Sequence, residues 1–363
     1  MNTNLFQRLY AASPYALSQA EKKETLNNVI MDLTRYHFAN CEAYRKILKS
    51  TSFSVDDDHA LEDIPFLPAG LFKHLKLASI KDSLIYRTLT SSGTTGHNIS
   101  KIYLDKETSM LQMRTLSHII SDFIGRDRLP LLIIDSSAVV NNSSYFSART
   151  AGIMGFSIYG KDITYALDSQ MRINLSAIEQ FIERHQAKPY LIFGYTYIIW
   201  QHFLRVLINE GSVISLAQGI MIHGGGWKNM IKQKITDDVF RAKLNKHCQI
   251  KRVYDYYGMV EQTGSIYVQC EKGYFHCSNY SDIFIRRSGN FSVCEIGEKG
   301  IIQTISAIPR SYPGHNLLTE DEGVLYGEDD CQCKRKGRYF KVLGRVKNSE
   351  TRGCGDTYGD KHA

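Results

Sequence analysis

Between Ser18 and about Ser50, charged and apolar residues alternate at helical spacing. Leu26, Val29, Ile30, Leu33 and Tyr36 recur as the apolar positions, so the pattern predicts an N-terminal helical segment with a packing role. Pro65 and Pro68 then frame an extended stretch, 64–71, because each proline disfavours helix for the residue before it. Strand-like runs follow at 84–90, 101–104, 129–135, 190–195 and 219–223, with helical patterns between several of them, which is α/β organisation. One helix is predicted from Met110, Met113, Leu116, Ile119, Ile120 and Phe123 on a single apolar face closed by Gly125, with both methionines expected in the core. Leu175, Ile178, Phe181 and Ile182 predict another. After Phe275 the pattern turns to short strand-like pieces separated by glycines, then a tail with Gly353, Gly355 and Gly359 that reads as a mobile terminus. No internal repeat or low-complexity tract interrupts the chain.

Composition narrows the class. The 363 residues are 43% hydrophobic and 22% charged, which excludes disordered and fibrous chains. The 44 basic and 37 acidic residues leave a formal charge of +7, but no long Lys or Arg block concentrates it, so nucleic acid is not the expected partner. Met1 to Ala12 lacks a signal-peptide core, and the most apolar stretch, 190–208, is broken by Gln201, His202 and Arg205, so no membrane insertion is expected. Eight cysteines, at 41, 248, 270, 277, 294, 331, 333 and 354, are irregularly spaced in a long chain, which points to reduced thiols and a cytoplasmic protein.

The run Thr90-Ser91-Ser92-Gly93-Thr94-Thr95-Gly96 packs hydroxyls and glycines between two strand-like runs and is followed by Lys101. Such a loop suits phosphate: glycines let backbone N–H groups approach an anion, hydroxyls donate further hydrogen bonds, and a lysine adds charge. It is not a Walker A loop, which has four residues between its glycines, a lysine directly after the second and then a helix. Cys331 and Cys333, with Cys270, His276 and Cys277, offer metal-ligand chemistry, but Cys-x-Cys and Cys-x6-Cys match no common zinc knuckle. Buried thiols are the expectation there, with metal ligation the open alternative. Lys334-Arg335-Lys336 reads as a solvated face.

Further segments follow the loop in order. These are His223-Gly224-Gly225-Gly226-Trp227, then Tyr254-Asp255-Tyr256-Tyr257-Gly258-Met259-Val260-Glu261, then Leu318-Thr319-Glu320-Asp321, then Gly344-Arg345. With the loop they resemble the adenylate-forming, acyl-activating superfamily. The resemblance implies ATP and Mg²⁺ as cofactors. It implies phosphate binding by Ser91, Ser92, Gly93, Thr94, Thr95 and Gly96, and a glycine turn, Gly224 to Gly226, against adenine and the acyl site, with His223 and Trp227 toward substrate. Asp255, Tyr256, Tyr257 and Gly258 would form the aromatic signature beside adenine, Glu261 would help hold Mg²⁺, Asp321 would bind ribose hydroxyls, and Arg345 would stand at a hinge. The superfamily's common Pro-Lys is replaced by Asn98-Ile99-Ser100-Lys101, which shifts the lysine.

A closer resemblance, over essentially the whole chain, is to the LuxE-like acyl-protein synthetase branch. It rests on Ile64-Pro65-Phe66-Leu67-Pro68 with Leu71-Phe72-Lys73, on the triple glycine before Trp227, and on Gly344-Arg345-Val346-Lys347 with Glu350 and Arg352-Gly353-Cys354. It implies an adenylating domain over 1–343, containing the helical segment within 1–85, and a mobile tail over 344–363 in place of the domain of about a hundred residues, with its catalytic lysine, that a CoA synthetase carries. The implied reaction activates a carboxylic acid, a fatty acid in this branch, to acyl-AMP and passes the acyl group to Cys354. Delivery to a partner such as a reductase, acyltransferase or carrier protein would follow, and the reading leaves room for an oligomer. The competing reading is an aryl- or acyl-CoA ligase of the phenylacetate type, and a non-enzymatic nucleotide-binding subunit is a third. For Tyr254, Tyr256 and Tyr257 the bland alternative is strand core, and for His223 a satisfied structural histidine.

Overall fold

In a computed structural model, which describes residues 3–91, 99–141, 148–227 and 235–346 (the side chains at 3–6, 141 and 148 excepted), the N-terminal pattern becomes helices Thr3–Ala11, Gln19–Asn40 and Glu42–Lys49. Ser18 starts the long helix with a capping box. Its backbone N–H donates to Glu21 Oε2 at 2.8 Å, and its hydroxyl accepts from the Glu21 N–H at 3.4 Å. Leu26, Val29, Ile30 and Leu33 are buried as the spacing predicts, whereas Tyr36 is 42% exposed. No described helix is long and apolar enough to cross a membrane.

The described strands are β1 Leu67–Pro68, β2 Arg87–Thr90, β3 Lys101–Leu104, β4 Leu129–Ser136, β5 Gly160–Leu167, β6 Tyr190–Tyr195, β7 Gly219–Gly224, β8 Arg252–Tyr257, β9 Tyr267–Gln269, β10 Phe275–His276, β11 Ser281–Arg286, β12 Lys299–Ser306, β13 Asn316–Glu328 and β14 Arg338–Arg345. The chain is α/β, and its described residues divide into two compact units, one of 3–91, 99–123 and 258–346, the other of 124–141, 148–227 and 235–257.

In the first unit the strands run β11-β12-β13-β14-β10-β9, paired antiparallel, with β1 laid parallel against β13 through Leu67↔Leu317 and Pro68↔Leu318. The expected extended stretch therefore ends early: after Pro68 the chain turns into the 3₁₀ helix Ala69–Lys73, which buries Phe72 in a cluster with Leu67, Tyr312 and Leu317. Similarly, Asp82–Leu84 makes a 3₁₀ turn, so β2 begins at Arg87. The pieces expected to be short after Phe275 include the 13-residue β13. Gly323 does not break it; it permits close packing, because a Cβ there would lie 2.8 Å from both Ile302 and the Lys341 carbonyl oxygen.

The helix Lys106–Ile124 corrects the expected face. Met110 and Met113 are 57% and 52% exposed, and the buried stripe runs through Thr108, Gln112, Thr115, Ile119, Ile120 and Phe123. Its first half is polar because backbone presses on it: a Cβ on Gly264, whose φ is +92°, would come within 2.7 Å of Gln112 Cα.

The second unit is a parallel sheet, β5-β4-β6-β7-β8, with helices Ala148–Ser157, Leu175–His185 and Asp237–Cys248 among its connections. Every residue of β6 and β7 is buried, as continuous apolar runs covered on both faces require. Ile178 and Phe181 face this core, while Leu175 at the helix start is 53% exposed and leaves the expected face.

Candidate active site

Glycines set the shape of the second unit's candidate residues. His223 and Gly224 end β7, in register with Asp255 and Tyr256 of β8, so both segments emerge at the carboxyl ends of parallel strands, where open α/β sheets bind ligands. A Cβ on Gly224 would sit 2.4 Å from the Tyr256 ring, and one on Gly225, whose φ is +81°, would sit 2.6 Å from the Tyr195 ring. The turn thus lets two aromatic rings lie directly against backbone. Tyr256 also packs on Phe156 at 5.4 Å, and Trp227 meets Trp200 edge-on at 5.4 Å.

His223 is buried. Its Nδ1 lies 2.9 Å from Thr196 Oγ1 and 3.6 Å from Asp255 Oδ1, and its Nε2 has no hydrogen-bond partner among the described residues. Burial, with Arg241 adding to it, pulls its pKa down to about 3, so the ring is neutral at physiological pH. Asp255, Tyr256 and Tyr257 are half-buried. A backbone cradle flanked by aromatic rings is a fit for a planar heteroaromatic base.

In the first unit, β2 and β3 form a hairpin in which Thr90 pairs with Lys101. Ser91 and Ser100 close the base of its loop: the Ser91 N–H donates to the Ser100 carbonyl at 3.1 Å, and the Ser100 N–H to Ser91 Oγ at 2.9 Å. Buried Ser100 points its hydroxyl toward Glu261, which lies on the 3₁₀ turn Val260–Gln262 and is 9% exposed. Ser100 Oγ closes no hydrogen bond among the described residues. Burial raises the Glu261 carboxyl above its ordinary range, opposed by the Ser100 hydroxyl and the Lys73 ammonium. A desolvated carboxylate beside an unspent hydroxyl is a hard oxygen set that suits Mg²⁺.

A chain of charges continues from there. Lys73 Nζ lies 3.9 Å from Glu320 Oε1; Arg345 donates to Glu320 Oε2 at 2.5 Å and stands 3.4 Å from Asp321 Oδ1. Asp321 and Arg345 are cross-strand partners of β13 and β14, which brings together two residues 24 apart in sequence. Lys101 is exposed at the start of β3. Gly258 is packed 3.1 Å, measured from an added Cβ, below Ile266.

Ser92, Gly93, Thr94, Thr95, Gly96 and Cys354 lie outside the described residues. Ser100, Lys73 and Glu320 were not singled out from sequence as site residues. All three sit inside segments quoted above, but nothing in those segments marks them as site residues. The thiols expected to be buried are so at Cys270, Cys277 and Cys331, with Cys333 half-buried; what spacing does not show is that Cys270, His276, Cys331 and Cys333 converge, without Cys277.

A family model described as "Acyl-protein synthetase, LuxE" matches residues 2–363. Among characterised relatives, the chain is 22% identical over 372 aligned positions to the long-chain-fatty-acid–luciferin-component ligase of Vibrio harveyi, covering 97% of this chain and 92% of that protein. It is 21% identical over 358 positions to the ligase of the same name from Aliivibrio fischeri, covering 95% and 91%. Among solved structures, an open conformation of 2-hydroxyisobutyryl-CoA ligase in complex with 2-HIB-AMP and CoA superposes with a TM-score of 0.67 at 13% identity, covering 94% of this chain and 79% of that one. At that identity the likeness is one of fold.

Proposed function

Because the chain belongs to the LuxE acyl-protein synthetase family and is a ligase, we propose that it activates a long-chain fatty acid with ATP, forming acyl-AMP and pyrophosphate, and passes the acyl group to its own Cys354 for delivery to an acceptor protein. The observation that carries the first half is the contact between the hairpin and the carboxylate: Ser100 closes the base of the hydroxyl- and glycine-rich loop and faces buried Glu261.

Residues take the following roles in this reading. The loop from Ser91 to Gly96 and Lys101 bind the phosphates, and Asp321 orients the ribose. Arg345, already aligned by Glu320 and Asp321, meets the nucleotide. Gly224, Gly225 and Gly226 with Asp255, Tyr256, Tyr257 and Gly258 hold adenine, and His223 and Trp227 border the acyl group. Glu261 and Ser100 would hold Mg²⁺, which supplies positive charge to offset repulsion between carboxylate and phosphates. The acid arrives ionised, so the first half needs no general base. Neutral His223 adds no positive charge that would trap the carboxylate before it reacts. Residues 1–343 act as the adenylating domain and 344–363 as the tail.

In the second half, the Cys354 thiolate attacks the acyl carbonyl of acyl-AMP. The thioester C–S bond forms, the acyl C–O bond to AMP breaks, and AMP leaves with the electron pair. Carboxylate-dependent ATP–pyrophosphate exchange tests the first half. Wild type should exchange with a long-chain acid and Mg²⁺, and Glu261→Gln should lower turnover by about 10²- to 10³-fold. Wild-type exchange in Glu261→Gln and in Thr94→Ala would overturn the assignment. CoA-dependent AMP formation without labelling of Cys354 would favour a CoA ligase.

A further inference from the structure

The first unit carries a second chemical cluster that shares no residue with the site above. Cys270 follows β9, His276 ends β10, and Cys331 and Cys333 lie in the turn between β13 and β14. Their three sulfurs and one imidazole nitrogen all lie within 4.8 Å of one another. Tetrahedral ligands at a Zn–S length of about 2.3 Å stand about 3.8 Å apart, so these atoms need only sub-ångström shifts to surround one ion. Cys270, His276 and Cys331 are buried and Cys333 is half-buried. We propose that Cys270, His276, Cys331 and Cys333 form a structural zinc site of the Cys₃His type, a closed set of four protein ligands.

The local backbone is shaped for it. Each sulfur accepts an amide N–H from two residues later: Lys272 to Cys270, at 3.4 Å, Cys333 to Cys331, and Arg335 to Cys333. Amides aimed at sulfur favour the thiolate form that a metal requires. Two tight turns make this possible. Gly273, with φ +80°, closes the β9–β10 turn by donating to the Cys270 carbonyl at 2.9 Å, and Lys334, with φ +69°, donates to the Cys331 carbonyl at 2.8 Å. A non-glycine residue held at positive φ costs energy that a ligand-fixed turn can offset.

His276 is oriented by packing between Tyr339, stacked at 5.6 Å, and Tyr15, edge-on at 6.2 Å. Its Nε2 lies 3.3 Å from Cys333 Sγ, which makes Nε2 the ligating nitrogen, and buried Nδ1 is left to carry the proton. Held by three thiolates and one neutral imidazole, the zinc unit would carry a net charge of −1. Arg335 lies beside Cys333 and is ion-paired with Asp122 and Glu271. The ion would clamp the β9–β10 turn to the β13–β14 turn, the two ends of the strand set β13-β14-β10-β9. Spacing alone hides the site because its ligands come from three separate elements.

The test is metal analysis of the full chain purified under reducing, chelator-free conditions. Wild type should carry one zinc per chain, Cys331→Ser/Cys333→Ser should lose it, and Cys248→Ser should keep it. Because the double variant could unfold, a second measurement uses wild type alone. Metal-free protein titrated with Co²⁺ should develop thiolate-to-cobalt charge-transfer absorption and tetrahedral d–d bands that saturate at one equivalent. Wild type that holds no stoichiometric zinc and gives no such bands, equal zinc in the double variant, or native protein with Cys270, Cys331 or Cys333 in a disulfide would each overturn the proposal.

Discussion

Acidification should destabilise this protein through a pair of buried histidines. His37, on the helix Gln19–Asn40, stacks on His315 at 4.9 Å, and both are fully buried. His37 is satisfied as a neutral ring: Nε2–H donates to the Pro309 carbonyl at 3.3 Å, and Nδ1 accepts from Ser79 Oγ at 2.7 Å. The Thr34 hydroxyl donates to the Ile30 carbonyl at 2.8 Å, so its oxygen accepts from His315 Nε2 at 3.0 Å; His315 Nδ1 has no partner among the described residues. A second proton on His315 would be a buried, unpartnered charge against another imidazole. Burial accordingly lowers His37 to about 3 and His315 well below its ordinary value.

The unfolded chain takes up both protons near pH 6.5, and the folded chain does not. Folded values below unfolded ones mean that this stabilisation is complete above about pH 6.5 and drains away as pH falls toward the folded values. At about pH 5 each ring costs about 2 kcal/mol, so the pair costs about 4 kcal/mol of a total that is typically about 5–15 kcal/mol. The loss bears on function, because the same segment carries Gly314, whose carbonyl accepts from Gln262 at 2.9 Å, next to Glu261.

Urea unfolding at about pH 7.5 and about pH 5 checks this, comparing wild type with His37→Gln/His315→Gln so that other titrating groups cancel. These include His223, which acts in the same direction, and Glu261, whose raised value acts in the opposite one. The pH-dependent loss should shrink by about 4 kcal/mol in the double variant. An unchanged difference would refute the reasoning, as would wild-type NMR in which either ring titrates near its ordinary value in the folded state.

Cys354→Ser should keep pyrophosphate exchange yet lose the hydroxylamine-labile label that wild type gains from ATP and labelled fatty acid; undiminished label in the variant would remove Cys354 from the mechanism. Gly225→Ala forces a side chain into a φ of +81° and against the Tyr195 ring, so it should lower stability by about 1–2 kcal/mol and weaken ATP binding, read by denaturation and nucleotide titration. Burial raises the Glu261 carboxyl, so in the proposed role as an Mg²⁺ ligand it would meet competition from a proton. The Mg²⁺ concentration for half-maximal exchange should rise as pH falls through that raised value, and a pH-independent requirement would exclude Glu261 as a ligand.

Sequence determined what is local about this protein. The β7 glycine turn is legible because positive φ and close ring contact admit little else at Gly225, and the β2–β3 hairpin is legible because hydroxyl and glycine content changes abruptly between alternating strands. Parallel strands buried on both faces announce themselves as unbroken apolar runs, as in β6 and β7. Only tertiary structure decided which face of Lys106–Ile124 is buried: Gly264 backbone, 152 residues away in sequence, packs against Gln112, while Met110 and Met113 face solvent. The same holds for Ser100 against Glu261, for Arg345 between Glu320 and Asp321, for His37 on His315, and for the convergence of Cys270, His276, Cys331 and Cys333. Each of these depends on strand register or on the docking of distant elements, and side-chain chemistry at one position does not encode which distant residue the folded chain will lay beside it.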